Sequence, residues 1–157
     1  MRGIDPKVQV QLVKADLIAG REHLEFAAGN ALQSFRGKHP RSKSLAVEYL
    51  LFISCQRQIA KAINMLGVDK EATRIVLAGL SKSKDALHEL ETASGSLLGD
   101  RDDSLIEIGS KRKLARLKKA FGVSKIEMEA ARFSGESDEM VLKRLIVERS
   151  ALLSIPD

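Results

Sequence analysis

The stretch 47–67, Val-Glu-Tyr-Leu-Leu-Phe-Ile-Ser-Cys-Gln-Arg-Gln-Ile-Ala-Lys-Ala-Ile-Asn-Met-Leu-Gly, constrains the fold more than any other part of the chain. Residues 49–53 are apolar without a break, so a helix there is apolar on every face and has to be buried. Ser54, Gln56, Arg57 and Gln58 then interrupt the run. Beyond them Ile59, Ala62, Ile63 and Leu66 recur at i, i+3, i+4 and i+7, the spacing of one helical face, with Arg57, Lys61 and Asn64 on the opposite stripe. Gly67 is expected to stop this helix in the left-handed conformation, with Val68 making the apolar contact that accompanies such a stop. The segment reads as one bent helix or as two helices meeting near 54–58, with hydrogen-bonding groups placed where a buried element turns toward the surface.

A chain of 157 residues with 44% hydrophobic composition can bury a core of this kind, and one domain spanning 1–157 is expected. Lys and Arg (26) exceed Asp and Glu (21), which favours an anionic partner without requiring one. A lone cysteine, Cys55, excludes an internal disulfide and a cysteine-rich zinc site, and suits a reducing compartment. The opening Met-Arg-Gly-Ile-Asp-Pro carries no apolar signal segment, and no apolar run reaches the roughly 18 residues that span a membrane, so a soluble, cytoplasmic protein is expected. Aromatic residues make up 4% with no Trp, which argues against a stacking platform for bases.

Along the chain, Val8, Val10 and Leu12 alternate with Gln9 and Gln11, predicting a strand. Asp16 is expected to cap a helix over 18–35, with a break at Gly20 and an inward stripe from Leu24 to Phe35. Residues 36–43 carry four cations and no acid, with Gly37 and Pro40, and read as a mobile basic loop before a cap at Ser44. The β-branched run 73–80 predicts a buried strand, and Ser83 or Asp85 opens a helix that Gly95 closes. A turn at 99–103 precedes a third short strand through Leu105, Ile106 and Ile108. Ser110 caps a helix ending at Phe121 and Gly122, and Ser124 with Glu127 forms a capping box stapled by Val123 and Met128. A last helix starts near Ser137, with 151–155 leaving it as a closing strand. The fold class that follows is α+β, a small, mostly antiparallel sheet of three to four strands packed with about six to eight helices.

Candidate chemistry is sparse. His23, His39 and His88 lack partners at metal-ligand spacing, and Asp100, Asp102 and Asp103 lack the Gly and terminal Glu of a calcium loop, so neither metal nor cofactor is expected. No His neighbours Cys55, which reads as a small buried apolar residue sooner than as a nucleophile. Lys111, Arg112, Lys113, Arg116, Lys118 and Lys119 make one helix surface basic; it is a solvated face or a phosphate-binding one, with Lys113 and Arg116 as its candidate contacts. The hydroxyl and amides at 54–58 either read base edges or cap a broken helix.

The segment 47–67 also resembles the signature of the small kinase-binding subunit of the KEOPS complex, also called EKC, the archaeal-type CGI-121 family. An acidic residue precedes paired leucines, a small polar segment ends in Gln-Ile, and Ala-Ile and a Gly follow: Glu48, Leu50, Leu51, Ser54, Gln58, Ile59, Ala62, Ile63 and Gly67 match. Residues 18–23 and 145–153 look similar too, while Cys55 stands where the family pattern has Gly. The resemblance implies a non-catalytic subunit that binds the complex's atypical kinase/ATPase and captures tRNA by its 3′ CCA end, in support of threonylcarbamoyladenosine synthesis. Ser54, Gln58, Ile59 and Gly67 would line the pocket for the single-stranded tail, with Arg57 and Lys61 as nearby phosphate contacts. Beyond what the resemblance implies, the charge of the helix of Lys113 and Arg116 suits guiding the acceptor stem, and Val141, Leu145 and their neighbours on the last helix are the expected face for the kinase. Weak self-association into a homodimer is left open. The rival from another class is a protein-only scaffold that activates a small kinase without touching RNA.

Overall fold

The computed structural model describes residues 8–155; the reading of the first six residues lies outside them. Strand β1 (Gln9–Lys14) pairs antiparallel with β2 (Ile75–Leu80) from Gln9↔Leu80 to Lys14↔Ile75, as the alternation and the β-branched run predict. Among the described residues seven helices accompany them: α1 (Arg21–Arg36), α2 (Leu45–Ser54), α3 (Ile59–Leu66), α4 (Lys84–Leu98), α5 (Lys111–Ala120), α6 (Lys125–Ala131) and α7 (Asp138–Leu152).

Among the described residues the sheet has two strands, not three to four. The run through Leu105 and Ile106 instead forms a 3-10 turn, Asp103–Ile106, because the Asp102 side chain accepts from the Ser104 N–H and nucleates it. At the other end α7 keeps its helical bonds to Leu152, and local turns from Leu153, Ser154 and Ile155 replace a closing strand. Two helix boundaries also move. Asp16 lies in a 3-10 turn, Ala15–Leu17, and α1 starts after Gly20, whose φ of 97° only glycine adopts easily and whose Cβ, if present, would sit 2.9 Å from the Lys143 side chain. Gly95 does not end α4, which runs to Leu98.

Helix α2 lies at the centre. Its 49–53 run is buried throughout, with Leu51, Phe52 and Ile53 fully so. One cluster joins it to Val13 of β1, to Ala27, Ala31 and Phe35 of α1, and to Ala62 and Leu66 of α3. A second cluster gathers Leu117 and Phe121 with Met128, Val141, Leu142, Leu145 and Ile146. The four serines Ser83, Ser110, Ser124 and Ser137 each accept from the backbone N–H three residues on, fixing the starts of α4, α5, α6 and α7. At Ser124 the reciprocal half of the capping box is absent: the Glu127 carboxylate is taken by Arg149 at 2.7 and 2.8 Å.

Candidate functional site

A buried helix that stops inside a protein leaves carbonyls that must find donors. At the end of α2 they come from four directions. The Ser54 hydroxyl donates to Leu51 O at 3.1 Å, and the Gln56 N–H to the same oxygen at 3.1 Å. The Ser150 hydroxyl, from α7, donates to Phe52 O at 3.0 Å, and His23 Nε2–H, from α1, to Ile53 O at 2.8 Å. His23 Nδ1 in turn accepts from the Ala19 N–H at 3.2 Å, so the ring is neutral with its proton on Nε2. Burial pushes its pKa down to about 4, against the raising effect of the Ile53 bond and with the Lys113 charge lowering it further.

The chain then turns sharply at Cys55, with φ 53° and ψ 33°, a left-handed conformation that a residue with a Cβ adopts at a cost of about 1–2 kcal/mol. Burial pushes the Cys55 thiol up to about 12, the opposite of what a nucleophilic cysteine needs. Arg57 reaches across to the last turns of α7, donating to Leu152 O at 3.4 Å and Ile155 O at 3.3 Å.

The polar segment therefore divides. Ser54 is fully buried and caps α2, so it is not exposed to a ligand. Gln58, Ile59 and Lys61 are exposed together in the first turn of α3, which no Gln58 side-chain bond caps. Ile59 is 41% exposed and Ile63, one turn on, 51%. Gly67 sits at the other end of the helix, about 12 Å away by helical rise. It is not left-handed (φ −59°, ψ 139°); glycine is needed there because a Cβ would come 2.5 Å from Ile63 O.

Two expected contacts on α5 are engaged within the protein. Lys113 Nζ donates to Leu105 O at 2.7 Å and Glu107 O at 2.8 Å, and burial lowers its pKa to about 8. Arg116 pairs with Asp16. Lys111, Arg112 and Lys119 remain on the exposed face. The expected kinase contacts on α7 turn inward: Val141 is fully buried and Leu145 6% exposed, packed with Leu117 and Met128, because the apolar stripe of α7 closes the second cluster. The large exposed apolar residues of that helix are Met140 and Leu152, each 56% exposed.

The basic loop holds the feature that sequence reading missed. Glu48, on the buried face of α2, is fully buried, and its carboxylate accepts from the Ser34 hydroxyl at 2.6 Å, the Ser42 N–H at 2.8 Å and the Arg41 N–H at 3.4 Å. The loop read as mobile is thus tied by its backbone to an internal carboxylate. Its side chains and those of Val47 and Ile59 line an open cleft of about 1220 Å³, which places the loop beside the first turn of α3. An acidic residue inside an apolar run was the available signal, since a buried carboxylate requires several donors close by. Among the described residues no three His, Cys, Asp or Glu side chains group so as to hold a metal ion, and no helix is long and apolar enough to cross a membrane.

The sequence model of the family described as kinase binding protein CGI-121 matches residues 2–154. The chain belongs to the CGI-121 family. A relative named regulatory protein Cgi121, from Methanocaldococcus jannaschii, is 30% identical over 110 residues, 69% of this chain and 68% of the relative. The family is described by what it binds rather than by a reaction, in keeping with a non-catalytic subunit and with the inert setting of Cys55.

Proposed function

We propose that the chain is a non-catalytic accessory subunit that binds an atypical kinase/ATPase and holds the single-stranded 3′ CCA end of tRNA for a KEOPS-type complex making threonylcarbamoyladenosine. The kinase half rests on family membership. The RNA half rests on one observation: Gln58 and Ile59, which match the family signature, and Lys61, singled out by its charge, are all exposed at the start of α3. An amide, an aliphatic surface and an ammonium group there can meet a base edge, a base face and a phosphate, which an unstacked tail offers at once. Ser54 supports this site from behind by ending α2, and Gly67 lets the chain leave α3 closely; neither is assigned a direct contact. Binding of intact tRNA and of tRNA lacking its CCA end tests the reading. Trimmed tRNA should bind at least tenfold more weakly, and equal affinity rejects it.

A protein-only scaffold is favoured by the internal engagement of Lys113 and Arg116, which removes two cations from the expected RNA face. On either reading the kinase is assigned to the exposed side of α7 around Met140 and Leu152. The scaffold reading requires the chain to stimulate kinase ATPase activity fully without RNA, and the RNA reading requires tRNA to bind in the absence of kinase.

A further inference from the structure

We infer that the cleft between the 36–44 loop and the start of α3 carries the sugar-phosphate backbone of single-stranded RNA, without regard to base identity. The inference deepens the RNA reading above by giving the strand a path beyond its end.

Arg36, Lys38, Arg41 and Lys43 crowd four like charges into eight residues, and His39 lies among them. No acidic side chain lines the cleft. Clustered cations repel one another, and the nearest anion, Glu48, is buried with its oxygens occupied by the Ser34, Ser42 and Arg41 donors. Those backbone bonds hold the loop in place, so cationic side chains are mounted on a fixed backbone that a polyanion can use without first ordering it.

Size and lining narrow the ligand. About 1220 Å³ exceeds the ~300–1,000 Å³ of a site for one small molecule and suits a short run of nucleotides. No Phe, Tyr or Trp lines the cleft; the His39 ring and the arginine planes can stack on a base of any identity, and Val47 and Ile59 offer aliphatic contact. Affinity then comes chiefly from phosphates, which makes it sequence-tolerant and steeply salt-dependent. Ile59 belongs both to the cleft and to the first turn of α3, so a strand lying in the cleft reaches the start of that helix.

The test uses the full chain and fluorescence anisotropy with a labelled ten-nucleotide single-stranded RNA ending in CCA, the same RNA trimmed of CCA, and its duplex, in KCl between about 50 and 300 mM. The Lys38→Glu/Lys43→Glu variant should bind both single strands at least tenfold more weakly at low salt, by the same factor. Its slope of log Kd against log[KCl] should fall by about 1.4, two phosphates at roughly 0.7 each. The charge-matched Lys84→Glu/Lys125→Glu variant should change affinity less than threefold, and the duplex should bind at least fivefold more weakly than the single strand. An unchanged slope in the loop variant, equal losses in both variants, or equal binding of duplex and single strand overturns the inference. If both RNAs bind alike yet the loop variant weakens both, the cleft stands and end recognition falls. If the preference for CCA persists while the loop variant binds normally, the cleft falls and end recognition stands. Thermal melts by circular dichroism confirm that each variant is folded.

Discussion

Replacing Glu48 with Gln tests whether the basic loop is held from inside. The carboxylate accepts one short hydroxyl bond and one backbone bond, from Ser34 and Ser42, with a longer one from Arg41. Bonds to a charged group contribute about 1.5–3 kcal/mol each, and a neutral bond about 1 kcal/mol. In Glu48→Gln the amide oxygen keeps the Ser42 N–H at the lower value and the amide NH2 can donate to the Ser34 hydroxyl oxygen, while the Arg41 N–H that this NH2 faces is left unsatisfied at a cost of about 1–3 kcal/mol. Burying an amide is cheaper than burying a charge, which offsets part of this, so a net loss of about 2–3 kcal/mol is expected. For a domain of this size that corresponds to a Tm lower by about 4–12 °C. In urea, with m near 2 kcal/mol/M, the midpoint should fall by about 1–1.5 M. Ser34→Ala should couple to it, the double variant losing at least about 1 kcal/mol less than the sum of the singles. The Ser42 amide should also exchange its hydrogen faster in Glu48→Gln. A midpoint within about 0.2 M of the unsubstituted protein, or strict additivity with Ser34→Ala, would falsify the assignment of Glu48 as the loop's anchor.

Further outcomes follow from the same geometry. His23 is neutral when folded and its pKa is lowered to about 4, against roughly 6.5 unfolded, so the unfolded chain binds more protons between these values; stability should be complete above pH 6.5 and fall by up to about 3 kcal/mol toward pH 4, and an NMR midpoint for the His23 ring near 6.5 refutes this. At left-handed Cys55 the usual order reverses: Cys55→Gly should be more stable than Cys55→Ala by about 1 kcal/mol in urea melts, and the opposite ranking excludes backbone strain there. Gly29, exposed inside α1 with nothing within 4 Å of where a Cβ would stand, should gain about 0.5–1 kcal/mol as Ala, seen as a higher Tm. Lys113→Met should lower stability by about 1–3 kcal/mol while leaving the salt slope of RNA binding unchanged; a reduced slope would return Lys113 to the RNA footprint.

The elements that local chemistry determines could be read directly from sequence. Both strands, the four serine caps and the burial of 49–53 follow from periodicity and from side chains that bond their own neighbours. The errors arose where a distant partner decides. Leu105 and Ile106 have strand-forming character, but Asp102 bends the backbone before they can pair. Val141 and Leu145 look available to a partner in sequence, because nothing in the local pattern of α7 says that Leu117 and Met128 cover them. Lys113 and Arg116 look like free cations in sequence, and only the packing of α5 on the 3-10 turns reveals their acceptors. At the candidate site, the exposure of Lys61 is readable from its stripe, whereas Ile59 and Ile63 share the apolar face of Ala62 and Leu66 in sequence and yet stay half-exposed, and the inward turn of Ser54 depends on the end of α2 being buried.

The end of α2 has a consequence for the order in which the molecule is made. Its Phe52 carbonyl, bonded locally by the Cys55 N–H at 3.3 Å, takes a second donor from a hydroxyl 98 residues further on, at Ser150, and Ile53 takes its donor from an imidazole 30 residues back. A nascent chain that has emerged only as far as α6 contains the most apolar helix of the protein without the helix that completes its capping. Productive folding is therefore expected to wait until α7 has left the ribosome. A chain truncated before Ser137 should be synthesised normally and yet collect as aggregate, with 49–53 as the segment that joins one copy to the next.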